Sequence, residues 1–261
     1  MLRNTVFYWR KYGLLSLIIR VCQKLSYIIN SKGKQASAFV YSKNGRLIPI
    51  QIFSCPEQIR RVNLVLESEI SNKSGMDVAV LFAVMLANKW DYELRIISID
   101  ETNKNVYHEL LKLCGVLFQK NVDFISINSD SKDKGVEISN SDLFITTSWL
   151  TTHKVIGSIN EKKVIYLVME DDGLMSQEYG DRFICMEDLR NQHLNYIIST
   201  RKLYEKFISE GFYNIRNKGV WIEPEFSINT LVNRNIMTQA WNETFGKISA
   251  FLDRVKSDVS A

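Results

Sequence analysis

From residue 61 onward, short apolar runs alternate with longer segments whose apolar residues recur at helical spacing. The runs are rich in β-branched and aromatic residues, which favours strands buried on both faces. They cover Val62–Leu66, Leu94–Ile99, Phe124–Ile127, Leu143–Thr146, Val164–Val168 and Tyr196–Ser199. The helices predicted between them are Asp77–Trp90, Asn105–Gly115, Thr151–Asn160, Phe183–His193 and Lys202–Gly211. This alternation predicts an α/β domain of Rossmann type over residues 61–226, with a parallel sheet covered by helices on both faces.

Two further patterns flank this domain. Ala38–Tyr41 and Leu47–Phe53 enclose an Asn44-Gly45 pair. Because such a pair favours a tight turn, residues 35–60 are predicted to form a small β-hairpin. Within residues 227–261, apolar side chains at helical spacing predict a final helix, and they are Trp241, Phe245, Ile248, Phe251, Leu252 and Val255.

Residues 1–34 have the pattern of a basic amphipathic helix. Between Leu14 and Ile29 the apolar side chains cover one broad face, and the apolar run that Arg20 closes is too short to span a bilayer. The residues suited to a membrane headgroup region are Trp9, Arg10, Lys11, Arg20 and Lys24. Two alternatives are a helix docked on the protein's own core or on a partner, and a secretory signal, for which no small-residue cleavage site follows.

Charge is distributed unevenly along the chain. The net charge is +4, but residues 1–56 hold nine Lys/Arg and no Asp/Glu, which leaves 24 Lys/Arg against 29 Asp/Glu in the remainder. A basic leader on an acidic body favours an anionic surface as partner. The acidic body argues against nucleic acid, so an anionic membrane is the expected surface.

The cysteines and histidines suggest neither a metal centre nor a redox site. Four cysteines are widely spaced without a C-x-x-C pair, and no two of the three histidines are four residues apart. Reduced thiols are expected, as in a cytoplasmic protein.

Polar residues follow the predicted strands where ligands bind in parallel sheets, at the carboxyl ends. These residues are Glu67, Asp100, Thr147, Trp149, Glu170, Asp171, Asp172 and Thr200. Carboxylates and an indole at one rim suit a polyhydroxylated substrate, which needs hydrogen-bond acceptors and an aromatic platform. The alternative is that each acidic residue only caps the following helix.

The first strand-to-helix connection is long and polar and ends in Ser74-Gly75, which could present backbone N–H groups to an anion. Neither G-x-G-x-x-G nor a P-loop occurs, so ordinary dinucleotide binding and phosphate-cleaving chemistry lose support. A G-x-S-x-G nucleophile elbow is also absent from the sequence.

Two stretches are more distinctive, Asp142-Leu-Phe-Ile-Thr-Thr-Ser-Trp149-Leu-Thr-Thr152 and Tyr166-Leu-Val-Met-Glu-Asp-Asp172. With the preceding Arg61–Glu67 and Ser74-Gly75, they resemble the D-x-x-x-A-T-x-W-x-T-A and Y-F-V-Q-D-Y-E segments of bacterial GT-B glycosyltransferases. The resemblance is to the rhamnosyltransferase-like group that builds cell-surface polysaccharides, O-antigen included, and it covers residues 5–226. Met169 and Asp171 depart from the family's glutamine and aromatic residue.

The resemblance implies an acceptor-side GT-B domain that works at the cytoplasmic face of the cell membrane. Glu67 or Glu170 would orient or deprotonate a sugar or glycolipid acceptor, and the substrate-binding residues would be Ser74, Gly75, Thr147, Trp149, Asp171 and Asp172. It also implies a strand at Gly219–Pro224 and a final helix that packs back on the domain. No cofactor is implied beyond the nucleotide-sugar donor.

The family's donor domain, with its E-x7-E glutamate pair, has no counterpart in this sequence. We therefore expect a partner protein or a homo-oligomer to supply it. The alternative is a membrane-associated scaffold or regulator that kept the fold and lost the chemistry.

Overall fold

The apolar runs form a seven-stranded sheet in which every neighbouring pair is parallel. The computed structural model describes residues 49–55, 59–67, 76–99, 104–114, 116–118, 120–127, 135–169, 179–222 and 242–260. The strands are β1 (Ile52–Ser54), β2 (Arg61–Leu66), β3 (Glu93–Ser98), β4 (Val122–Ser126), β5 (Val136–Ile138), β6 (Leu143–Thr146), β7 (Val164–Val168), β8 (Asn195–Ile198) and β9 (Gly219–Trp221). The helices are α1 (Met76–Trp90), α2 (Lys104–Cys114), α3 (Trp149–Ile156), α4 (Tyr179–Leu189), α5 (Arg201–Ser209), α6 (Tyr213–Lys218) and α7 (Ser249–Ser260).

The strand order is β4-β3-β2-β6-β7-β8-β9. The chain starts in the middle at β2, extends the sheet on one side to β4, and then crosses back to extend it on the other side from β6 to β9. This is the doubly wound order of a Rossmann-like fold, so the predicted fold class is confirmed. Because all seven strands are parallel, their carboxyl ends meet at one edge of the sheet.

One face of the sheet is covered by α1, α2 and α7. Alternate residues of β2, Val62, Leu64 and Leu66, pack there in the larger of two apolar clusters. The C-terminal segment joins the same cluster, where Phe245 stacks on Phe82 with ring centroids 5.4 Å apart. The last described helix therefore packs on this face of the sheet.

The opposite face carries the second apolar cluster. Val65 of β2 points to this side, together with Val155 of α3 and Phe207 of α5. A two-stranded parallel sheet of β1 and β5 extends the layer, with Ile52 paired to Val136. The cluster therefore includes Ile50 and Val136 as well as helix residues.

The sequence did not predict the β1–β5 pair. The described end of the predicted hairpin, Ile52–Phe53, belongs to β1 and pairs in parallel with a distant strand. Its other predicted strand, Ala38–Tyr41, lies outside the described residues, as does the predicted helix within residues 1–34. The strand expected at the start of Gly219–Pro224 is present as β9.

A buried charge network closes the amino edge of the sheet. Arg61 at the start of β2 donates to both carboxylate oxygens of Asp142, at 3.0–3.2 Å. Arg95 of β3 bonds to Asp123 at 3.1 Å. Both guanidinium groups also donate to the backbone carbonyl of Glu137, at 3.3 Å and 2.6 Å. The network thus ties β5 to the main sheet and leaves the carboxyl edge to carry a site.

Helix bounds differ from the predicted ones mainly at α3 and α4. The prediction began α3 at Thr151, but Ser148 caps it, so the helix starts at Trp149. It ends at Ile156, and a separate 3₁₀ turn at Glu161–Lys163 precedes β7. Helix α4 begins four residues before the predicted Phe183 and ends at Leu189.

Candidate functional site at the carboxyl edge of the sheet

The candidate site lies where β2 and β6 end side by side. Here the chain turns outward in opposite directions, which opens a crevice in sheets of this topology. Val65 of β2 pairs with Thr146 of β6, so Glu67 and Thr147 follow neighbouring strand ends. The Thr147 hydroxyl donates to the backbone carbonyl of Val65 at 3.2 Å. That bond fixes Thr147 over the end of β2.

The turn into α3 is held by its own hydroxyl groups. Ser148 Oγ accepts from the Thr151 N–H at 3.2 Å, and Thr151 Oγ1 accepts from the N–H groups of Thr147 and Ser148 at 3.1 and 3.0 Å. This is a capping-box arrangement in which the first backbone donors are satisfied internally. The turn is therefore a stiff support for neighbouring side chains. Its N–H groups already donate to hydroxyl oxygens within the turn.

Most of the threonines in this stretch are structural. Thr146, Thr151 and Thr152 are fully buried, and the hydroxyls of Thr146 and Thr152 lie 2.7 Å apart. Thr152 also donates to the Ser148 carbonyl at 2.8 Å. The sequence pattern pointed to the turn but did not separate its supporting hydroxyls from the side chains at the rim.

Trp149 is the first residue of α3 and is half-buried. It packs against the apolar cluster that contains Val65 and Val155. An indole held on one side by the core, with its remaining surface at the rim, suits stacking on a sugar ring.

Glu67 directly follows the last residue of β2. The alternation of side chains along β2 places Glu67 on the same face as Val65, and the Glu67 side chain is exposed. The charge of Glu67 acts on Lys154 of α3. Burial lowers the pKa of the Lys154 ammonium, and the charge of Glu67 acts in the opposite direction.

Sequence reasoning missed Lys154. Its backbone carbonyl accepts from the Ile50 N–H at 3.1 Å, so the segment before β1 lies beside α3. A Cβ on Gly157 would lie 2.7 Å from the Pro49 ring, which shows how closely that segment approaches the end of α3. The available signal was helical spacing, because Lys154 comes four residues after Leu150 and three after Thr151, which are both buried in the same short helix.

The third strand end at this edge is β7. The chain leaves it through Met169, whose carbonyl accepts from the Ser199 hydroxyl at 2.7 Å. Glu170, Asp171 and Asp172 follow outside the described residues. Ser74 and Gly75 and the predicted membrane-binding residues lie outside them as well, namely Trp9, Arg10, Lys11, Arg20 and Lys24.

The beginning of α1 carries a buried carboxylate. Asp77 is 5% exposed, and its Oδ1 accepts from the Val78 N–H at 2.9 Å. Burial raises the pKa of Asp77, against the effect of that hydrogen bond. The first turn of α1 therefore already holds an acidic side chain, which makes it less suited to an anionic ligand than the sequence suggested.

Within the described ranges, no cluster of three or more His, Cys, Asp or Glu side chains is arranged to hold a metal ion. The helices described there include none that is long and apolar enough to cross a membrane. Comparison of the chain with protein-family models and with curated proteins gave no match. The class that the structure defines is thus an α/β protein with a Rossmann-like, seven-stranded parallel sheet.

Proposed function

We propose that this protein is the acceptor-binding component of a glycosyltransferase, acting in the synthesis of a bacterial cell-surface polysaccharide or glycolipid. The observation that carries the proposal is the grouping of Glu67, Thr147 and Trp149 at the switch point between β2 and β6. An exposed carboxylate, a fixed hydroxyl and a half-buried indole are suited to holding a sugar. The sequence resemblance assigns acceptor binding to the same segment.

In this proposal, Glu67 accepts the proton of the attacking acceptor hydroxyl, or orients that hydroxyl, and Trp149 stacks on the acceptor ring. Glu170 is the second candidate for the proton-accepting role, and Asp171 and Asp172 bind acceptor hydroxyls.

Transfer requires the donor and the acceptor to be held in attack geometry between two surfaces from which water is excluded. In this proposal, the ends of β2 and β6 supply one such surface. The nucleotide-sugar would be bound by a donor-type domain on a partner polypeptide or in a homo-oligomer.

The basic leader would hold the assembly at the inner face of the cell membrane. Attraction to anionic lipid contributes about 1 kcal/mol per Lys or Arg near the surface, which makes binding reversible and sensitive to salt. Replacing Arg10, Lys11, Arg20 and Lys24 with glutamine in the full chain should abolish co-sedimentation with phosphatidylserine vesicles. Unchanged binding by this variant would contradict the membrane assignment.

The test of the activity is sugar transfer from a panel of nucleotide-sugars to lipid-linked acceptors, by the chain alone and with co-expressed candidate partners. Glu67→Gln should lower kcat/KM by about 10²–10⁴-fold if Glu67 is a general base. Glu109→Gln is the matched control, because Glu109 is exposed on α2. Equal activity of the two variants would remove Glu67 from the mechanism, and inactivity with every partner would favour a scaffold.

A further inference from the structure

Two buried guanidinium groups converge at the amino edge of the sheet, opposite the edge that carries the candidate sugar site. Arg61 and Arg95 are each 5% exposed, and both donate to the backbone carbonyl oxygen of Glu137. One nitrogen of each guanidinium therefore lies within 3.3 Å of the same oxygen atom. Two cations this close together are favourable only where anionic groups balance their charge.

The carboxylates around these cations balance them unevenly. The buried Asp142 accepts from Nε and Nη2 of Arg61. The carboxylate that bonds to Arg95 belongs to Asp123, whose side chain is 57% exposed, so water weakens its attraction. Burial and the charge of Arg61 lower the pKa of Arg95. Arg95 is therefore the cation that a further anion beside it would stabilise.

Each guanidinium has one terminal nitrogen without a partner. Nη1 of Arg61 and Nη2 of Arg95 donate to no group within the described ranges, whereas the other two nitrogens of each guanidinium form hydrogen bonds. Each side chain keeps 6% of its surface exposed, so solvent reaches the pair. Unused N–H groups on two neighbouring cations suit an oxyanion, because its several oxygen atoms can accept from both.

A buried acceptor accompanies these donors. Asn63 comes two residues after Arg61, on the same face of β2, and is paired in register with Arg95 of β3. Its Nδ2 donates to the Leu143 carbonyl at 3.1 Å, but its Oδ1 has no partner among the described residues, although Asn63 is 0% exposed. An unpaired buried acceptor costs free energy that a donor would recover. A ligand that fits all three residues needs both acceptor oxygens and a donor.

We infer that Arg61, Asn63 and Arg95 bind a phosphate group that still carries a P–OH. Its ionised oxygens accept from the two guanidinium groups, and its P–OH donates to Asn63 Oδ1. A phosphate monoester loses its last such proton as the pH rises through about 6, whereas inorganic phosphate keeps one at neutral pH and sulfate has none. The site therefore selects inorganic phosphate. It does not depend on the proposed sugar site, so its failure would leave the transferase proposal intact.

The first test is calorimetric titration of the intact chain with inorganic phosphate, sulfate or methyl phosphate at about pH 7.5 and matched ionic strength. Inorganic phosphate should bind about 10-fold or more tightly than the other two, because it alone can donate to Asn63. At about pH 5.5, methyl phosphate should bind as well, since it regains its proton. Equal affinity for sulfate would show that positive charge alone attracts oxyanions, and absence of phosphate binding would show that the arginines hold no ligand. Either result overturns the inference.

The second test removes the acceptor or one cation. Asn63→Leu should abolish the preference for phosphate over sulfate, and Arg95→Met should weaken phosphate binding by about 10-fold or more. The matched control is Asn195→Leu, because Asn195 is equally buried with an unpaired Oδ1 but lies on β8, which β6 and β7 separate from β2. A preference that survives in Asn63→Leu, or disappears equally in Asn195→Leu, would contradict the role of Asn63.

The third test uses the wild-type chain, so it stands even if these variants fail to fold. Phenylglyoxal labels guanidinium groups, and mass spectrometry gives the rate at each arginine. Inorganic phosphate should slow the labelling of Arg61 and Arg95 more than sulfate does, and leave the exposed Arg190 unaffected. Unchanged labelling of Arg61 and Arg95 at saturating phosphate would place the bound phosphate elsewhere and overturn the inference.

Discussion

Replacing Asp142 with alanine is expected to lower the free energy of unfolding by about 3–5 kcal/mol, because it leaves Arg61 buried without its carboxylate. The side chains of Arg61 and Asp142 are only 6% and 0% exposed. Burial opposes the charge on Arg61, but the hydrogen bonds and charge of Asp142 outweigh it, and the pKa of Arg61 is raised above its usual value. The substitution also removes the acceptor of the Ser139 N–H, at 3.0 Å, which adds about 1 kcal/mol.

The matched control is Asp123→Ala. Asp123 pairs with Arg95 at 3.1 Å, but its side chain is 57% exposed, so water already weakens this pair. Arg95 is as buried as Arg61, but it keeps its bond to the Glu137 carbonyl at 2.6 Å, so Asp123→Ala should cost less than Asp142→Ala. Arg95 is already disfavoured as a cation, because burial and the neighbouring Arg61 charge lower its pKa. A double variant, Arg61→Met with Asp142→Leu, should therefore be more stable than Asp142→Ala, since it leaves no unpaired charge and relieves Arg95.

Urea unfolding followed by far-UV circular dichroism measures all three variants against the wild type. Asp142→Ala should be the least stable of the three, and the double variant should lie near the wild type. If Asp142→Ala were no less stable than Asp123→Ala, burial would not explain how much the Arg61–Asp142 pair contributes to the free energy of unfolding. A double variant as unstable as the single one would show that the loss comes from packing and not from unpaired charge.

Burial raises the pKa of Asp188, and His153 opposes this through a hydrogen bond of 3.1 Å and its charge. Asp188 therefore contributes stability that is lost as pH rises through its folded pKa. His153→Ala should lower the free energy of unfolding in urea more at about pH 7 than at about pH 4. Equal losses at the two pH values would contradict the pairing. Phe245→Ala should lower the free energy of unfolding by about 3–5 kcal/mol, because the Phe245 ring is 5% exposed and stacks on Phe82. Thermal unfolding measures this loss, and a value below about 1 kcal/mol would contradict the prediction. Ser148→Ala removes the cap of α3 and should cost about 1 kcal/mol in the same assay, whereas a neutral effect would mean that Thr151 alone holds the turn.

The parallel sheet could be predicted because its strands are buried on both faces and so appear as continuous apolar runs. All six residues of β2 are buried, as are all five of β7. The strand β5 and its pairing with β1 escaped prediction for the opposite reason. Each has three residues and includes a polar one, and each pairs with a segment far away along the chain.

The location of Glu67, Thr147 and Trp149 followed from one topological rule, that parallel strands end at the same edge. The partial burial of Lys154 on α3 could not follow from it. Its burial depends on how α3 is rotated over the sheet and on the approach of the segment that contains Ile50. Both are results of tertiary packing that no local pattern specifies. The predicted sites in residues 68–75 and 170–178 remain predictions.

The β1–β5 pair has a consequence for the order in which the chain folds. The strands β2, β3 and β4 lie between Ile52 and Val136 along the chain, so the pairing of β1 with β5 closes a long loop. The entropy of closing that loop is lost before any of the pair's few hydrogen bonds form. We expect the pair to assemble last and to open first, as a small cooperative unit on the flank of a more stable sheet. Amide hydrogens of residues 52–54 and 136–138 should then exchange faster than those of β2, even though all of them lie in strands.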